Sequence, residues 1–280
     1  MRIITDIKEM QGWALKAREL GQSIGFVPTM GYLHRGHLSL IEAARAQNSM
    51  VAVSIFVNPT QFGPNEDFTR YPRDLAADSA MAAEAGVDVL FCPQAEDMYP
   101  EGYTCYVEPQ DLSERLCGQN RPGHFRGVCT VVLKLFNILR PHRVYFGQKD
   151  AQQFIILERM TRDFNVDIEM IRLPIVRETD GLAMSSRNVY LKAEERRQAL
   201  ALSRALGKAE RLFAAGERSA ATLLEAVQSE LSAATLGRLD YAEIVDMENL
   251  LPLQRLDKPA LLALAMSFGR TRLIDNTILK

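Results

Sequence analysis

The chain has 280 residues, 47% hydrophobic and 24% charged, and 33 Lys and Arg against 35 Asp and Glu leave a formal charge of −2. A chain of this size hides roughly 70–75% of the surface it would expose unfolded, so it needs no metal or disulfide staple to hold a core. Near-neutral charge excludes a global field for nucleic acid or an anionic membrane, and no apolar run approaches the ~20 residues of a membrane span. An anionic ligand must therefore be met by a local device.

The opening MRIITDIKEM carries charges where a secretory apolar stretch would stand. Cys92, Cys105, Cys117 and Cys129 form no CxxC pair and match no histidine cluster. That pattern argues against zinc and for four reduced thiols in a cytoplasmic protein.

Taken in chain order, residues 23–27 and 50–57 are continuous apolar runs that predict buried parallel strands, joined by a helix over 37–48 with one apolar face. Then follow a helix over 74–85, a strand over 87–91, a short extended piece at 105–107 and an apolar helix over 128–139. A strand at 143–146, a helix over 151–164 and a strand at 167–173 complete the alternation. It predicts a doubly wound, Rossmann-like α/β domain over residues 1–176, with ligands gathering beyond the carboxyl ends of its strands. After residue 176 a polar, turn-rich stretch leads to two Ala/Leu-rich helices over 194–215 and 220–234. Period-two alternation at 239–245, 261–268 and 271–275 then predicts antiparallel strands, hence a smaller α+β domain over 177–280.

The informative segment is Pro28-Thr29-Met30-Gly31-Tyr32-Leu33-His34-Arg35-Gly36-His37, between a strand and the helix it feeds. A helix N-terminus offers unpaired N–H groups and a positive dipole end, which suits a phosphate. Imidazoles placed there can donate to phosphate oxygens. Read alone, His34 and His37 could equally be a solvated cap and a packed ring. A second strand-to-helix junction, Gly147-Gln148-Lys149-Asp150, offers an ammonium against a phosphate, although a solvated turn would look the same. Neither GxxxxGK[ST] nor GxGxxG is present. Met184-Ser185-Ser186-Arg187, in the polar stretch, suits a lid closing on a triphosphate or a plain linker with a capping serine. Gln61 and Gln153, at the same sheet edge, could bind a polar organic substrate or simply face solvent.

Six ordered blocks then carry a resemblance. PTMGYLHRGH at 28–37, FVNPTQF at 56–62, YPR at 71–73, RPGHFRGVCTVVLKLFNILRP at 121–141, FGQKDAQQ at 146–153 and LAMSSRN at 182–188 resemble those of the pantoate:β-alanine ligases, a family of HxGH nucleotidyltransferases, from end to end. The resemblance implies a Rossmann-like fold and ATP-dependent joining of pantoate to β-alanine through a pantoyl adenylate, with release of AMP and pyrophosphate. It implies that Met30, Gly31, Tyr32, Leu33, His34, Arg35, Gly36 and His37 frame ATP, with His34 and His37 on its phosphates. Gly147, Gln148, Lys149 and Asp150 would hold the nucleotide, Val176 would border the adenine, and Met184 through Arg187 would form a mobile phosphate loop. His37, His34, Lys149, Ser186 and Arg187 are the implied catalytic group, and Gln61 and Gln153 the implied pantoate ligands. Mg2+ held chiefly by the phosphates, with Asp78 a candidate helper, His124 and Arg121 near the site, and a homodimer are further implications. An adenylyltransferase for a phosphorylated acceptor and a nucleotide sensor without turnover are the competing readings. The first should carry more Arg and Lys where Gln61 and Gln153 stand, and the second would not need Lys149 or Arg187.

Overall fold

A computed structural model describes residues 1–64 and 66–280. Strands β1 (Arg2–Ile4), β2 (Ile24–Thr29), β3 (Met50–Ile55), β4 (Val89–Phe91), β5 (Arg143–Gly147) and β6 (Glu169–Leu173) form one parallel sheet in the order β1-β4-β3-β2-β5-β6. The helices between them are α1 (Ile7–Glu19), α2 (Arg35–Gln47), α3 (Leu75–Glu84), the short α4 (Ala95–Met98) and α5 (Cys117–Asn120), α6 (His124–Leu139) and α7 (Ala151–Asp163). Buried on both faces, the central strands need apolar side chains throughout, and Ile24, Phe26, Val27, Val51, Ala52 and Val53 are fully enclosed.

The rest of the chain adds α8 (Ala193–Ala199), α9 (Ala201–Ala214), α10 (Ala220–Leu231) and an antiparallel sheet of β7 (Gly237–Asp246), β8 (Ala260–Phe268) and β9 (Thr271–Leu279). Its middle strand is sandwiched. Leu262, Leu264, Met266 and Phe268 pack with α9 and α10, whereas Leu261, Ala263 and Ala265 join the core beneath the parallel sheet. The smaller sheet is thus fastened to the larger one by apolar burial rather than by a linker alone.

Three expectations change. β1 and α1 precede the first strand expected from sequence; β1 is a three-residue edge strand, too short to show a period. Residues 105–107 form no strand, and Val107 N–H donates instead to Thr130 Oγ1 at 2.9 Å. The single helix expected over 194–215 is two, parted at Leu200, which is the C-cap of α8 and the N-cap of α9. All four cysteines are free, three of them buried and Cys105 exposed.

Candidate active site

β2 and β5 are neighbours at the centre of the parallel sheet, and their connections leave its carboxyl edge toward α2 on one side and α7 on the other. This is the point at which a doubly wound sheet opens a crevice. The 30–34 loop reaches it through two left-handed residues, Gly31 (φ 81°) and Tyr32 (φ 51°). Asp78 pins that bend, accepting from the Tyr32 and Leu33 amides at 2.8 and 2.6 Å. A Cβ on Gly31 would meet an Asp78 oxygen at 2.9 Å, so the bend and its anchor are fitted together. Both oxygens of this 1%-exposed carboxylate accept from the loop, so Asp78 anchors the bend.

His34 is the N-cap of α2. Its Nδ1 accepts from the Gly36 amide at 3.1 Å, and His37 Nδ1 accepts from the His34 amide at 3.3 Å, a capping box built from two imidazoles. The rings stack with centroids 4.1 Å apart. Because each Nδ1 accepts, each ring in its neutral form carries its proton on Nε2 and presents a donor. Burial, aided by the Lys149 ammonium, lowers the His34 pKa to about 4. Burial, then His34, then Lys149 likewise hold His37 well below its usual range. Both are neutral donors at pH 7.

That neutrality has a measurable cost in acid. The unfolded chain protonates these rings near pH 6.5 and the folded chain only near 4 for His34, so their contribution is fully present above 6.5 and lost as pH falls below it. Chemical denaturation between pH 7.5 and 5 should show stability declining below about 6.5, by up to about 1.4 kcal/mol per pH unit for each such histidine. A flat profile would contradict the assignment.

Lys149 lies in the turn after β5, and its Nζ sits 3.2 Å from Asp150 Oδ2. Burial would raise the Asp150 carboxyl, but Lys149 beside it holds it below the usual range. The turn is fastened from the other sheet: Asn276 on β9 donates to the Gln148 and Lys149 carbonyls, both at 2.9 Å. Segment 182–190 lies against the histidine turn, with Ser186 Oγ donating to the Tyr32 carbonyl at 3.3 Å and Met184 beside Gly36. Arg187 is paired with Asp67 through two bonds of 2.9 Å. Burial would raise Asp67, but that guanidinium keeps it below its ordinary range.

Gln61 is held from three directions. Asn58 donates to its Oε1 at 3.1 Å, its Nε2 points to Met30 Sδ at 3.1 Å, and His124 Nδ1 donates to its carbonyl at 2.9 Å. Gly127 on α6 makes this possible, since a Cβ there would lie 2.3 Å from the Thr60 carbonyl oxygen. Tyr99 Oη donates to Asn58 Oδ1 at 2.8 Å, and burial raises its pKa to about 12, so it remains a donor. Tyr99→Phe removes the hydroxyl that orients Asn58 and through it Gln61. The expected outcome is a roughly 3–10-fold rise in KM for the ligand of Gln61, the size of one net hydrogen bond, with the KM for nucleotide unchanged. Steady-state kinetics with each substrate varied in turn check it.

A cavity of about 220 Å3 gathers most of the expected residues: Met30, His34, Gly36 and His37 from one turn and Gly147, Lys149 and Asp150 from the other. Gln61, Gln153, Val176, Met184, Ser185, Ser186 and Arg187 line it too. Gly31, Tyr32, Leu33, Arg35 and Gln148 line neither this cavity nor the larger one beside it. The first three shape the loop through backbone, Arg35 pairs with Glu42 at 2.6 Å in solvent, and Gln148 turns to Asn276 at 3.3 Å. Gln152 also turns inward, bonded to the Cys117 amide and to the Leu112 and Arg115 carbonyls. Asn276, Tyr99 and Asp67 carried no local motif; their roles arise only when distant segments meet. A larger cavity of about 1020 Å3, lined by the antiparallel sheet and the start of α7, adjoins the first, and Lys149, Asp150, Gln153, Ser185 and Arg187 line both.

The family profile described as Pantoate-beta-alanine ligase matches residues 2–278. The chain belongs to that ligase family. Within it, the chain is 59% identical over 279 residues to a pantothenate synthetase of Thermotoga neapolitana, covering 100% of both chains. It is 47% identical to the crystal structure of a pantothenate synthetase from Thermus thermophilus, with 99% of each chain covered and a TM-score of 0.94. The pantoate-beta-alanine ligase from Francisella tularensis, solved in complex with beta-gamma ATP and beta-alanine, is 37% identical, covers 99% of this chain and 97% of its own, and has a TM-score of 0.83.

Proposed function

We propose that this chain joins pantoate to β-alanine at the expense of ATP, giving pantothenate through a pantoyl adenylate. The observation that carries the reading is the meeting of two neutral Nε2–H imidazoles and one ammonium at the carboxyl edge of the sheet, beside Gln61 and Gln153. A carboxylate is a poor electrophile, so one of its oxygens attacks the α-phosphorus of ATP while the bond to pyrophosphate breaks. The β-alanine amine then attacks the carboxyl carbon, the C–O bond breaks with its electron pair on AMP, and the amine gives up a proton. No covalent enzyme intermediate is needed, and the protein works by positioning and charge stabilisation.

In this reading His34 and His37 donate from Nε2 to phosphate oxygens as charge builds there, and Lys149 supplies a compact positive charge. Gln61, its Oε1 already engaged by Asn58, offers its NH2 to pantoate, with Gln153 beside it. Arg187 exchanges Asp67 for a phosphate, and Ser185 and Ser186 follow it. The cavity of about 220 Å3 adjoins the larger one, and in this reading segment 184–187 closes over bound ATP to keep water from the adenylate. Among the described residues no cluster of three His, Cys, Asp or Glu stands ready for a metal, and Asp78 and Asp150 already have partners. Such a donor set suits Mg2+ carried by the triphosphate, where it would offset phosphate charge. The reading also takes residues 1–176 as the nucleotide and pantoate domain, 177–280 as the covering domain, and a cytoplasmic homodimer as the working form.

The test uses the purified chain with ATP, pantoate and β-alanine. Equal yields of AMP, pyrophosphate and pantothenate are expected, with pyrophosphate exchange into ATP that requires pantoate but not β-alanine. Exchange indifferent to pantoate would overturn the reading.

A further inference from the structure

Resting on that reading, the arrangement around the larger cavity bears on how a polyphosphate reaches and leaves the site. Lys149, Ser185 and Arg187 line both cavities, so a phosphate chain held by them lies at the junction. The smaller cavity, walled by Gln61 and Val176, takes nucleoside and pantoate, which leaves the larger one for the entry of the phosphate chain and the departure of pyrophosphate. Eight Lys and Arg against six Asp and Glu line that larger cavity, although the whole chain carries a formal charge of −2. Positive charge is thus concentrated where phosphates pass.

Pairing sharpens the imbalance. Five of the six carboxylates, Glu66, Asp67, Asp150, Asp240 and Asp275, are held in ion pairs. Asp240 even serves two arginines, Arg272 at 2.8 Å and Arg238 at 3.8 Å. Among the described residues, Arg70, Lys192 and Arg270 have no carboxylate partner, and all three are exposed. They come from three separate segments that the fold gathers. Tyr190 Oη donates to the Arg70 carbonyl at 2.7 Å, and the Lys192 amide, two residues on, donates to Glu195 Oε2 at 2.8 Å. Glu195 in turn lies against the β8–β9 turn, where a Cβ on Gly269, next to Arg270, would meet its Oε1 at 2.8 Å. Cations that hold no carboxylate keep their field for a passing anion.

We propose that Arg70, Lys192 and Arg270 form a cationic collar that draws the triphosphate into the cleft and conducts pyrophosphate out, without touching the reacting atoms. A cleft lined by one sign of charge raises encounter rates with an opposite ion by roughly 10- to 1,000-fold, and salt removes the gain.

The test compares wild type with Arg70→Gln/Lys192→Gln/Arg270→Gln in pantoate-dependent pyrophosphate exchange, at about 20 mM and about 500 mM ionic strength. At low salt, kcat/KM for ATP and for pyrophosphate should each fall about 10-fold in the variant, and that for the singly charged pantoate no more than about 3-fold. At high salt the variant should come within about 2-fold of wild type. Lys8→Gln/Lys16→Gln/Lys258→Gln removes as much charge from outside both cavities and should match wild type throughout. The collar is overturned by wild-type kcat/KM for ATP or pyrophosphate in the first variant at low salt, by a loss that persists at high salt, or by an equal loss in the second variant. Should the triple variant prove unfolded, the three single substitutions decide, each expected to cost about 2-fold at low salt. A wild-type chain without pantoate-dependent pyrophosphate exchange would instead remove the parent reading, and the collar with it.

Discussion

His37→Ala is expected to slow pantoate-dependent pyrophosphate exchange by roughly 30- to 1,000-fold, the size of about 2–4 kcal/mol of lost transition-state stabilisation. The loss falls mainly on chemistry: the ring accepts one amide at 3.3 Å and stacks on His34, while α2 is held to the sheet by the buried Leu40, Ile41 and Ala44. Weakening the cap should cost about 1 kcal/mol of stability. His37→Gln, which restores an N–H donor at similar reach, should recover part of the rate. Exchange kinetics beside thermal melts separate the two effects, and full activity in a folded His37→Ala chain would remove the histidine from the mechanism.

Lys149→Ala should produce a loss of similar size, about 2–4 kcal/mol, with an added signature. Lys149 is among the causes that keep both His34 and His37 neutral, so its removal should raise the pKa of both rings. Asp150 loses the partner that holds its carboxyl down, and that group should rise as well. Lys149→Arg should not rescue the rate, because a planar fork replaces a compact ammonium in a turn whose carbonyls are fixed by Asn276. Histidine pKa values unmoved in Lys149→Ala would show that the ammonium does not face the imidazoles.

Much of the site was legible because it follows from local rules. The strand before Met30, the glycine turn and the helix after His34 are neighbours in sequence, and so are β5, Lys149 and α7. That the two junctions meet was expected from the doubly wound pattern, and the pairing of β2 with β5 is its physical cause. What lay beyond reach was long-range. Asn276 fixes Lys149 from 127 residues away, and Asp67 holds Arg187 across 120. No periodicity records such pairs. Residues expected to touch nucleotide for their place in a motif, such as Arg35 and Gln148, instead face solvent or the second sheet. A motif fixes where backbone runs but leaves side-chain direction to the packing around it. The start of α1, where Asp6 Oδ1 accepts from the Glu9 amide at 2.8 Å, went unread in the sequence, and the three-residue β1 before it offers no pattern at all.

The central claim is that His34 and His37 are neutral imidazoles with the proton on Nε2, aimed at a triphosphate beside Lys149. Nitrogen-15 NMR of histidine-labelled protein at pH 7 reads this directly. The account predicts an unprotonated Nδ1 and a protonated Nε2 in both rings, with the Nε2–H resonances moving on addition of a non-hydrolysable ATP analogue. Rings found as imidazolium or as the Nδ1–H tautomer, or Nε2–H resonances indifferent to the nucleotide, would contradict it.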